Sequence, residues 1–336
     1  MGSKSQEHRV NASSPMTHSL RMFVVLNPVA GTSSVERIRE GIRQRFDDTN
    51  IHYEIYETTG EEHVAQVVCK ALDQGYNLFV AAGGDGTVSE VITGLAQTHT
   101  PIAILPTGTA NTLARDLGVP LDLDRALDLL AGDHTTRDID LMQVGDEFFV
   151  LNISVGVSSL TMHDTRRDEK RRFGIFAYLW KGAKWLAGFQ PRRFTITVDG
   201  KRRRFRASEV VVANSGMLGM RPFTWGSHIS MDDGQLDVCI VHAQRAPDYL
   251  RVIWSTMWNL HKPPQVTYLT ARRSVTIDSD WALPVQADGE VIGQAPIHVE
   301  LAPKALRVVV PAPADEQPQG ALAGEVLSRR IINSEQ

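Results

Sequence analysis

Apolar and polar positions along the chain change rhythm once, near residue 136. Before that point, short apolar runs alternate with stretches of helical period. Met22 to Leu26, His52 to Glu57, Leu78 to Ala82 and Pro101 to Leu105 read as strands. Each leads into a helix. One runs to about Phe46, with Ser33, Ser34 and Glu36 suited to its start. The next covers Glu61 to Gln74. Val88, Val91, Ile92 and Leu95 recur at helical spacing after the third strand, with Gly94 near the end. Leu113 to Leu117 and Asp122 to Leu130 follow the fourth. Four strand–helix alternations over 20–135 predict a Rossmann-like α/β domain, a parallel sheet with helices on its faces.

After residue 136 the pattern is that of strands: 136–142, 147–155, 193–198, 202–214, 235–241, 265–270, 272–278, 284–292 and 296–300. Asp199-Gly200, Asp233-Gly234 and Asp288-Gly289 punctuate them as turns. Helical stretches interrupt at about 173–188 and 246–258. The expectation is a second, mostly antiparallel β-sandwich domain over 136–305. A closing strand at 306–310, carrying Val308 to Val310, is placed to return to the first domain. Residues 1–19, and the proline-, glutamine- and alanine-rich residues 311–336, are expected to be disordered.

The remaining bulk properties narrow the classes. A length of 336 residues suits one large or two ordinary domains. A net charge of −4 excludes a globally basic nucleic-acid binder. The two cysteines, Cys69 and Cys239, lie far apart within apolar patterns, which implies reduced core thiols rather than a disulfide or zinc framework. No apolar run is long enough to span a bilayer, and the polar N-terminus lacks the apolar core of a signal peptide. A cytoplasmic protein is expected.

Candidate chemistry sits in the loops after three of the first four strands: Asn27, Pro28, Val29, Ala30 and Gly31; Gly83 to Thr87; and Pro106 to Asn111. In parallel sheets ligands bind beyond the carboxyl ends of the strands, so these loops should converge on one edge. The strongest is Gly83-Gly84-Asp85-Gly86-Thr87. A glycine turn opening a helix offers free main-chain N–H groups and the positive end of the helix dipole, which favour phosphate. A carboxylate at Asp85 would repel phosphate unless a cation lay between them, so Asp85 suggests Mg²⁺. A plain strand–helix turn is the structural alternative. GxxxxGK[ST] does not occur, which excludes a P-loop enzyme.

Three motifs in order, NPVAG (27–31), GGDGTVSEV (83–91) and PTGTANTLAR (106–115), together with MDDGQLDV (231–238) and ADGE (287–290), resemble the diacylglycerol kinase catalytic-domain superfamily, and within it the soluble bacterial lipid kinases. The resemblance spans about residues 20–310. GGDGT alone is shared with NAD kinases and phosphofructokinases; the five motifs in this order are far more specific. The resemblance implies ATP in a cleft between two domains. It places Asn27 to Gly31 on the first phosphate loop, and Gly84, Asp85, Gly86, Thr87, Val88, Ser89 and Glu90 on the second. Asp85 falls in the metal–phosphate network, and Thr58 and Thr109 match threonines that contact the nucleotide; Asn111 belongs to the same loop. Ser230, Asp233 and Gln235 align with a Mg²⁺ site in the β domain. Asp288 and Glu290 fall in the motif that supplies the proton-accepting carboxylate, and the sequence does not say which of the two is the base. Ser89 stands where the family commonly has Asn, and Asn152 to Ser159 is a looser version of the family's glycine-rich segment.

Phosphoryl transfer needs positioning and charge neutralisation more than covalent help. The acceptor would be an alcohol, and a base within reach of its proton contributes roughly 10²–10⁴-fold. Arg166, Arg167, Lys170, Arg171 and Arg172 precede a stretch holding Phe173, Phe176, Tyr178, Trp180, Trp185 and Phe189, and Lys201 to Arg204 with Arg206 form a second basic cluster. Cations interleaved with tryptophan suit an anionic membrane surface. No nucleic-acid module accompanies them. The sequence thus predicts an ATP- and Mg²⁺-dependent lipid kinase, acting most directly on diacylglycerol and associating reversibly with the inner membrane surface. Sphingoid bases, ceramide and phosphatidylglycerol are alternative acceptors. A soluble-metabolite kinase of NAD-kinase type and a catalytically silent lipid-binding module are the rival readings. A homo-oligomer is compatible with the sequence, which fixes no oligomeric state.

Overall fold

The computed structural model describes residues 20–30, 34–163, 191–217, 224–226, 228–258 and 263–312. Four parallel strands open it: β1 (Arg21–Leu26), β2 (His52–Glu57), β3 (Leu78–Gly83) and β4 (Ile102–Pro106), in the order β2-β1-β3-β4. Helices α1 (Val35–Phe46), α2 (Val64–Asp73) and α3 (Asp85–Leu95) connect them, and α4 (Thr112–Asp116) and α5 (Leu123–Ala131) follow β4. β3 is buried at every position because helices cover both faces of the sheet. Its two-residue period divides it between two cores. Phe79 and Ala81 face α2 and α3, whereas Leu78, Val80 and Ala82 face α1 and α5. Gly94 serves this packing: a Cβ there would lie 2.7 Å from the Cβ of Val68 on α2.

Helix starts differ from the apolar pattern for local reasons. α2 begins at Val64 rather than Glu61, because the Glu62 carboxylate folds back to accept from the Thr59 N–H at 2.8 Å and closes a loop. α3 begins at Asp85, before its first apolar residue. Cys69 is exposed on α2, not in the core; Cys239 is buried.

The second half contains β5 (His134–Val144), β6 (Glu147–Phe149), β7 (Asn152–Gly156), α6 (Val157–His163), β8 (Arg192–Val198), β9 (Lys201–Ala207), β10 (Glu209–Ala213), β11 (Leu236–Val241), α7 (Ala246–Met257), β12 (Val266–Ala271), β13 (Ser274–Ser279), β14 (Pro284–Ala287), β15 (Glu290–Gln294) and β16 (Ile297–Pro311). One sheet has the order β12-β11-β10-β7-β14-β15 and is antiparallel throughout. The other continues the first sheet past β4 as β16-β13-β8-β9, with β5 on β16 and β6 on β5. Ile153, Val155, Phe194, Ile196, Val212 and Val275 belong to the core between the two layers. The fold is therefore an α/β unit with a mostly parallel sheet plus an antiparallel β-sandwich.

Three expected strands are each two. Residues 147–155 break at Val150-Leu151 and residues 284–292 at Asp288-Gly289. Residues 202–214 break at Ser208, where the chain leaves one sheet for the other. Conversely, the strands expected at 296–300 and 306–310 are one, β16, with a register shift between Ala302 and Leu306. The shift sits where the Lys304 N–H turns onto the Asp140 carboxylate at 2.8 Å. Val308 then lies beside Ile102 of β4 in parallel, so β16 threads both halves of the molecule. The helix expected near 173–188, the basic–aromatic run from Arg166 to Phe189, and residues 1–19 and 313–336 lie outside the described residues.

Candidate functional site

The loops after β1 to β4 are tied together at the carboxyl edge of the sheet. Asn27 donates its main-chain N–H to Ala82 O at 3.0 Å and its side-chain amide to Thr87 Oγ1 at 3.0 Å. The Thr58 N–H reaches Leu26 O at 2.9 Å, and the Thr107 N–H reaches Gly83 O at 3.0 Å. Gly84 and Gly108 touch main chain to main chain: a Cβ on either would meet the other's Cα within 3.4 Å. Asn27, Thr58, Gly83 to Thr87 and Thr107 to Asn111 therefore share one surface. Gly31 lies outside the described residues. Val29 is 90% exposed at the tip of its loop, and Thr109 is exposed on the neighbouring one. The Val88 side chain belongs to the core beneath α3, so only its main chain can face a ligand. Ser89 is half-buried and Glu90 exposed on the same helix.

Gly84 is the N-cap of α3 and Asp85 its first residue, so the amides from Gly84 to Thr87 lie at the positive end of the helix. Asp85 also has a structural task that the sequence did not announce. Its Oδ1 accepts the Thr112 N–H at 2.6 Å and so holds the start of α4. Burial raises the Asp85 carboxyl above its ordinary pKa, and main-chain N–H groups of the α4 start oppose that rise. Close by, Thr107 Oγ1 and Asn111 Oδ1 are buried without a partner. Buried polar atoms of this kind mark a place where a polar ligand completes the bonding.

The β14–β15 turn faces these loops. Asp288 adopts φ 45° and its carboxylate accepts three main-chain N–H groups: Val150 at 2.7 Å, Leu151 at 2.9 Å and Asn152 at 3.0 Å. Leu151 packs in the same core as Val88 and Val91 of α3, which fixes the turn against that helix. The residue is partly exposed, but its carboxyl group is turned inward. Burial pushes that carboxyl up to about 6, the three N–H bonds pull it down, and the negative charge of Asp85 raises it. Carboxylates from the two layers thus sense each other across the gap. Glu290 opens β15 and is exposed. Two acids that look equivalent in sequence are distinct here: Asp288 organises the turn, and Glu290 projects from it.

Ser230, Asp233 and Gln235 fall in one turn. Ser230 Oγ donates to Asp232 Oδ1 at 2.6 Å, Asp232 pairs with Arg137 at 2.8 Å, and Asp233 Oδ1 accepts the Gln235 N–H at 3.0 Å. The Gly234 N–H binds the buried Asp140 at 2.7 Å. Among the described residues, no group of three or more His, Cys, Asp or Glu is arranged to hold a metal. Lys201 to Arg206 form the exposed edge strand β9, and their charges also protect that edge from pairing with another chain.

Sequence reasoning missed three residues. Asn214 donates to Asp140 O at 2.8 Å and to Val150 O at 2.9 Å, bracing the segment that Asp288 grips. Asp140 anchors the Gly234 and Lys304 N–H groups. The Ser215 hydroxyl donates to Asp116 of α4, a direct bond between the sandwich and the loop side of the α/β unit. A polar residue directly after an apolar strand, as in VVVANS, was the available signal for Asn214.

Comparison with known proteins agrees with this geometry. The profile of the diacylglycerol kinase catalytic domain matches residues 21–144, and that of the YegS C-terminal NAD kinase beta sandwich-like domain matches 152–310. The chain is 28% identical to a diacylglycerol kinase of Bacillus subtilis over 306 residues, covering 88% of this chain and 98% of the relative. It is also 28% identical to an uncharacterized Synechocystis protein over 304 residues, covering 86% of this chain and 70% of that protein. Among solved structures, a putative diacylglycerol kinase from Bacillus anthracis superposes with a TM-score of 0.71 at 25% identity, covering 88% of this chain and 98% of that one.

Proposed function

We propose that this chain, which belongs to the diacylglycerol kinase catalytic-domain superfamily, transfers the γ-phosphate of ATP to a lipid hydroxyl, with diacylglycerol as the acceptor and phosphatidic acid as the product. The kinase class follows from the family. The lipid acceptor rests on the named relatives and on the five motifs. The observation that carries the reading is the placement of the glycine loop of Gly84 to Thr87, with Asp85, opposite the Asp288-Gly289-Glu290 turn.

The donor set suits the reactants. Free amides at the start of α3 and the unpartnered Thr107 hydroxyl can donate to a triphosphate, while Asn111 Oδ1, an acceptor, suits a hydroxyl or amino group of the nucleotide. Mg²⁺ characteristically binds through one or two carboxylates together with substrate phosphates rather than in an all-protein cage, and Asp85 would supply the carboxylate. When bound, the ion offsets phosphate charge that no loop lysine neutralises. The residues do the rest: the amides orient the phosphates, Asp85 locks the α4 loop beside them, and the second layer presents the base. With the Asp288 oxygens holding three N–H groups, Glu290 is the carboxylate assigned to accept the acceptor's proton.

A long acyl chain costs on the order of 10 kcal/mol to bring into water, at roughly 0.8 kcal/mol per methylene. The enzyme therefore works at a membrane surface, from the cytoplasmic side, and returns to solution. No helix among the described residues is long and apolar enough to cross a membrane. Incubation with labelled ATP, Mg²⁺ and a panel of diacylglycerol, phosphatidylglycerol, sphingoid base and ceramide tests the reading. Label is expected in the organic phase with diacylglycerol. Folded protein that labels no lipid would overturn the assignment, and label on a water-soluble metabolite without lipid would replace it.

A further inference from the structure

α7 packs on the outer face of the six-stranded sheet through Tyr249 and Val252, against Val211, Cys239 and Val241. Its other face carries a row of exposed apolar side chains. Leu250, Trp254 and Trp258 follow one another at four-residue spacing, which places them in one row along the helix. They are 66%, 55% and 52% exposed, and the two indoles stack at 3.9 Å between centroids and 18° between planes. A soluble helix has no packing reason to hold two stacked tryptophans in water. Scattered exposed apolar residues are ordinary; a continuous row is not.

The row points to the site. β11 runs away from the end of the sheet that carries Asp288, and α7 runs back towards it. The last turn of α7 is bonded there: the Thr224 N–H reaches Thr256 O at 3.2 Å, the Trp225 N–H reaches Gly216 O at 2.8 Å, and the Ser215 N–H reaches Leu151 O at 3.0 Å. Leu151 is itself gripped by Asp288. The Trp258 end of the row therefore lies on the same end of the molecule as the candidate base.

Basic charge stands beside the row and at its N-terminal end, with Asp248 lying 3.4 Å from Arg251. Arg251 is exposed beside it, and Arg245 stands at the N-terminal end of α7. The basic edge strand β9 ends against the same helix end, where the Arg206 carbonyl bonds His242 Nδ1 at 3.0 Å. Indoles with an apolar body and a polar N–H, with arginine beside them and at one end of their row, match the interface of an anionic bilayer. A second copy of the chain is a poorer occupant. The row offers about 400 Å², half of the ~800 Å² per partner that a stable dimer buries.

We propose that Leu250, Trp254 and Trp258 form a membrane-docking face that seats the enzyme on an anionic lipid bilayer with its site end towards the lipid. This rests on the lipid-kinase reading for its purpose, but its test does not. The full chain is floated with vesicles of phosphatidylcholine, with and without phosphatidylglycerol, and compared with Trp254→Ser/Trp258→Ser and with Trp254→Phe/Trp258→Phe. The Ser pair should lower the bound fraction at least about tenfold, because binding scales with buried apolar area. The Phe pair should keep most of it, and phosphatidylglycerol should strengthen wild-type binding in a salt-sensitive way. Turnover of a short-chain, water-soluble diacylglycerol should be unchanged in the Ser pair, and turnover of long-chain diacylglycerol in vesicles should fall with binding. Equal vesicle binding by the Ser pair and the wild type would overturn the proposal. So would a dimer-to-monomer change in sedimentation with vesicle binding intact. A wild type that binds vesicles through this row but phosphorylates neither acceptor would sink the lipid-kinase reading alone.

Discussion

Gly84 and Gly108 touch through their main chains: a Cβ built on Gly108 would lie 2.5 Å from the Gly84 Cα and 2.8 Å from Asn111 Oδ1. The glycine loop after β3 and the loop after β4 can approach this closely because Gly108 has no side chain; a Cβ on Gly84 would still lie 3.4 Å from the Gly108 Cα. Gly108→Ala should therefore push the two loops apart. We expect a stability loss of about 1–3 kcal/mol and a fall in nucleotide affinity of at least about tenfold. Gly86 is the contrast, since a Cβ there meets nothing within 4 Å. Gly86→Ala should raise the melting temperature slightly, as alanine favours helix, yet weaken ATP where phosphate approaches. Calorimetry with and without nucleotide reads both variants.

Asp85→Asn should abolish phosphoryl transfer and leave the fold in place. The Asn carbonyl can still accept the Thr112 N–H, so α4 keeps its anchor. What disappears is the negative charge next to the phosphates. A drop in kcat of about 10³-fold or more is expected, with an unchanged circular dichroism spectrum and melting temperature. Near-wild-type turnover would remove the metal-directed role.

Asp288 and Glu290 should separate in opposite directions. Asp288→Ala strands three N–H groups and should cost about 3 kcal/mol of stability, with activity lost through the distorted turn. Glu290→Gln should leave the unfolding free energy within about 0.5 kcal/mol of wild type, while kcat falls roughly 10²–10⁴-fold. If Glu290→Gln is active and a folded Asp288→Asn is not, the base is Asp288.

Glu209 makes stability depend on pH. It is buried, it accepts the Ser158 N–H at 2.8 Å and the Ser158 hydroxyl at 2.5 Å, and burial pushes its carboxyl up to about 7. Its ordinary value is 4.5. The folded state holds this proton more tightly than the unfolded state, so the stabilisation is complete below about 4.5 and is lost as pH rises through about 7. The span amounts to about 3 kcal/mol at 1.36 kcal/mol per pH unit. Glu209→Gln should flatten the decline in denaturant midpoint between pH 5 and about 8. A decline of the same size in that variant would place the titrating group elsewhere.

The α/β half was legible because its signals are local. A run such as LFVAAG can only be a strand buried on both faces, and glycine directly after it fixes the turn. The loops could be predicted to converge because parallel strands put their carboxyl ends on one edge. Contacts made at long range were not legible. Nothing near Asp85 indicates that it caps a helix 27 residues later. Nothing in Ala-Asp-Gly-Glu tells which acid turns inward, because that depends on N–H groups 136 to 138 residues earlier in the chain. Ser208 and the register shift in β16 are likewise decided by which sheet the chain joins next. The exposed row on α7 was hidden for a related reason: a helical stretch at 246–258 does not tell which of its apolar residues the sheet takes, and the sheet takes Tyr249 and Val252.

β16 carries a mechanical consequence. Enzymes that close a cleft by swinging one lobe about a hinge join the lobes through flexible connectors. Here a single strand is hydrogen-bonded to β13 at one end and to β4 at the other, with β5 alongside for most of its length. Swinging the lobes would shear those ladders. The two halves should therefore melt together as one cooperative unit.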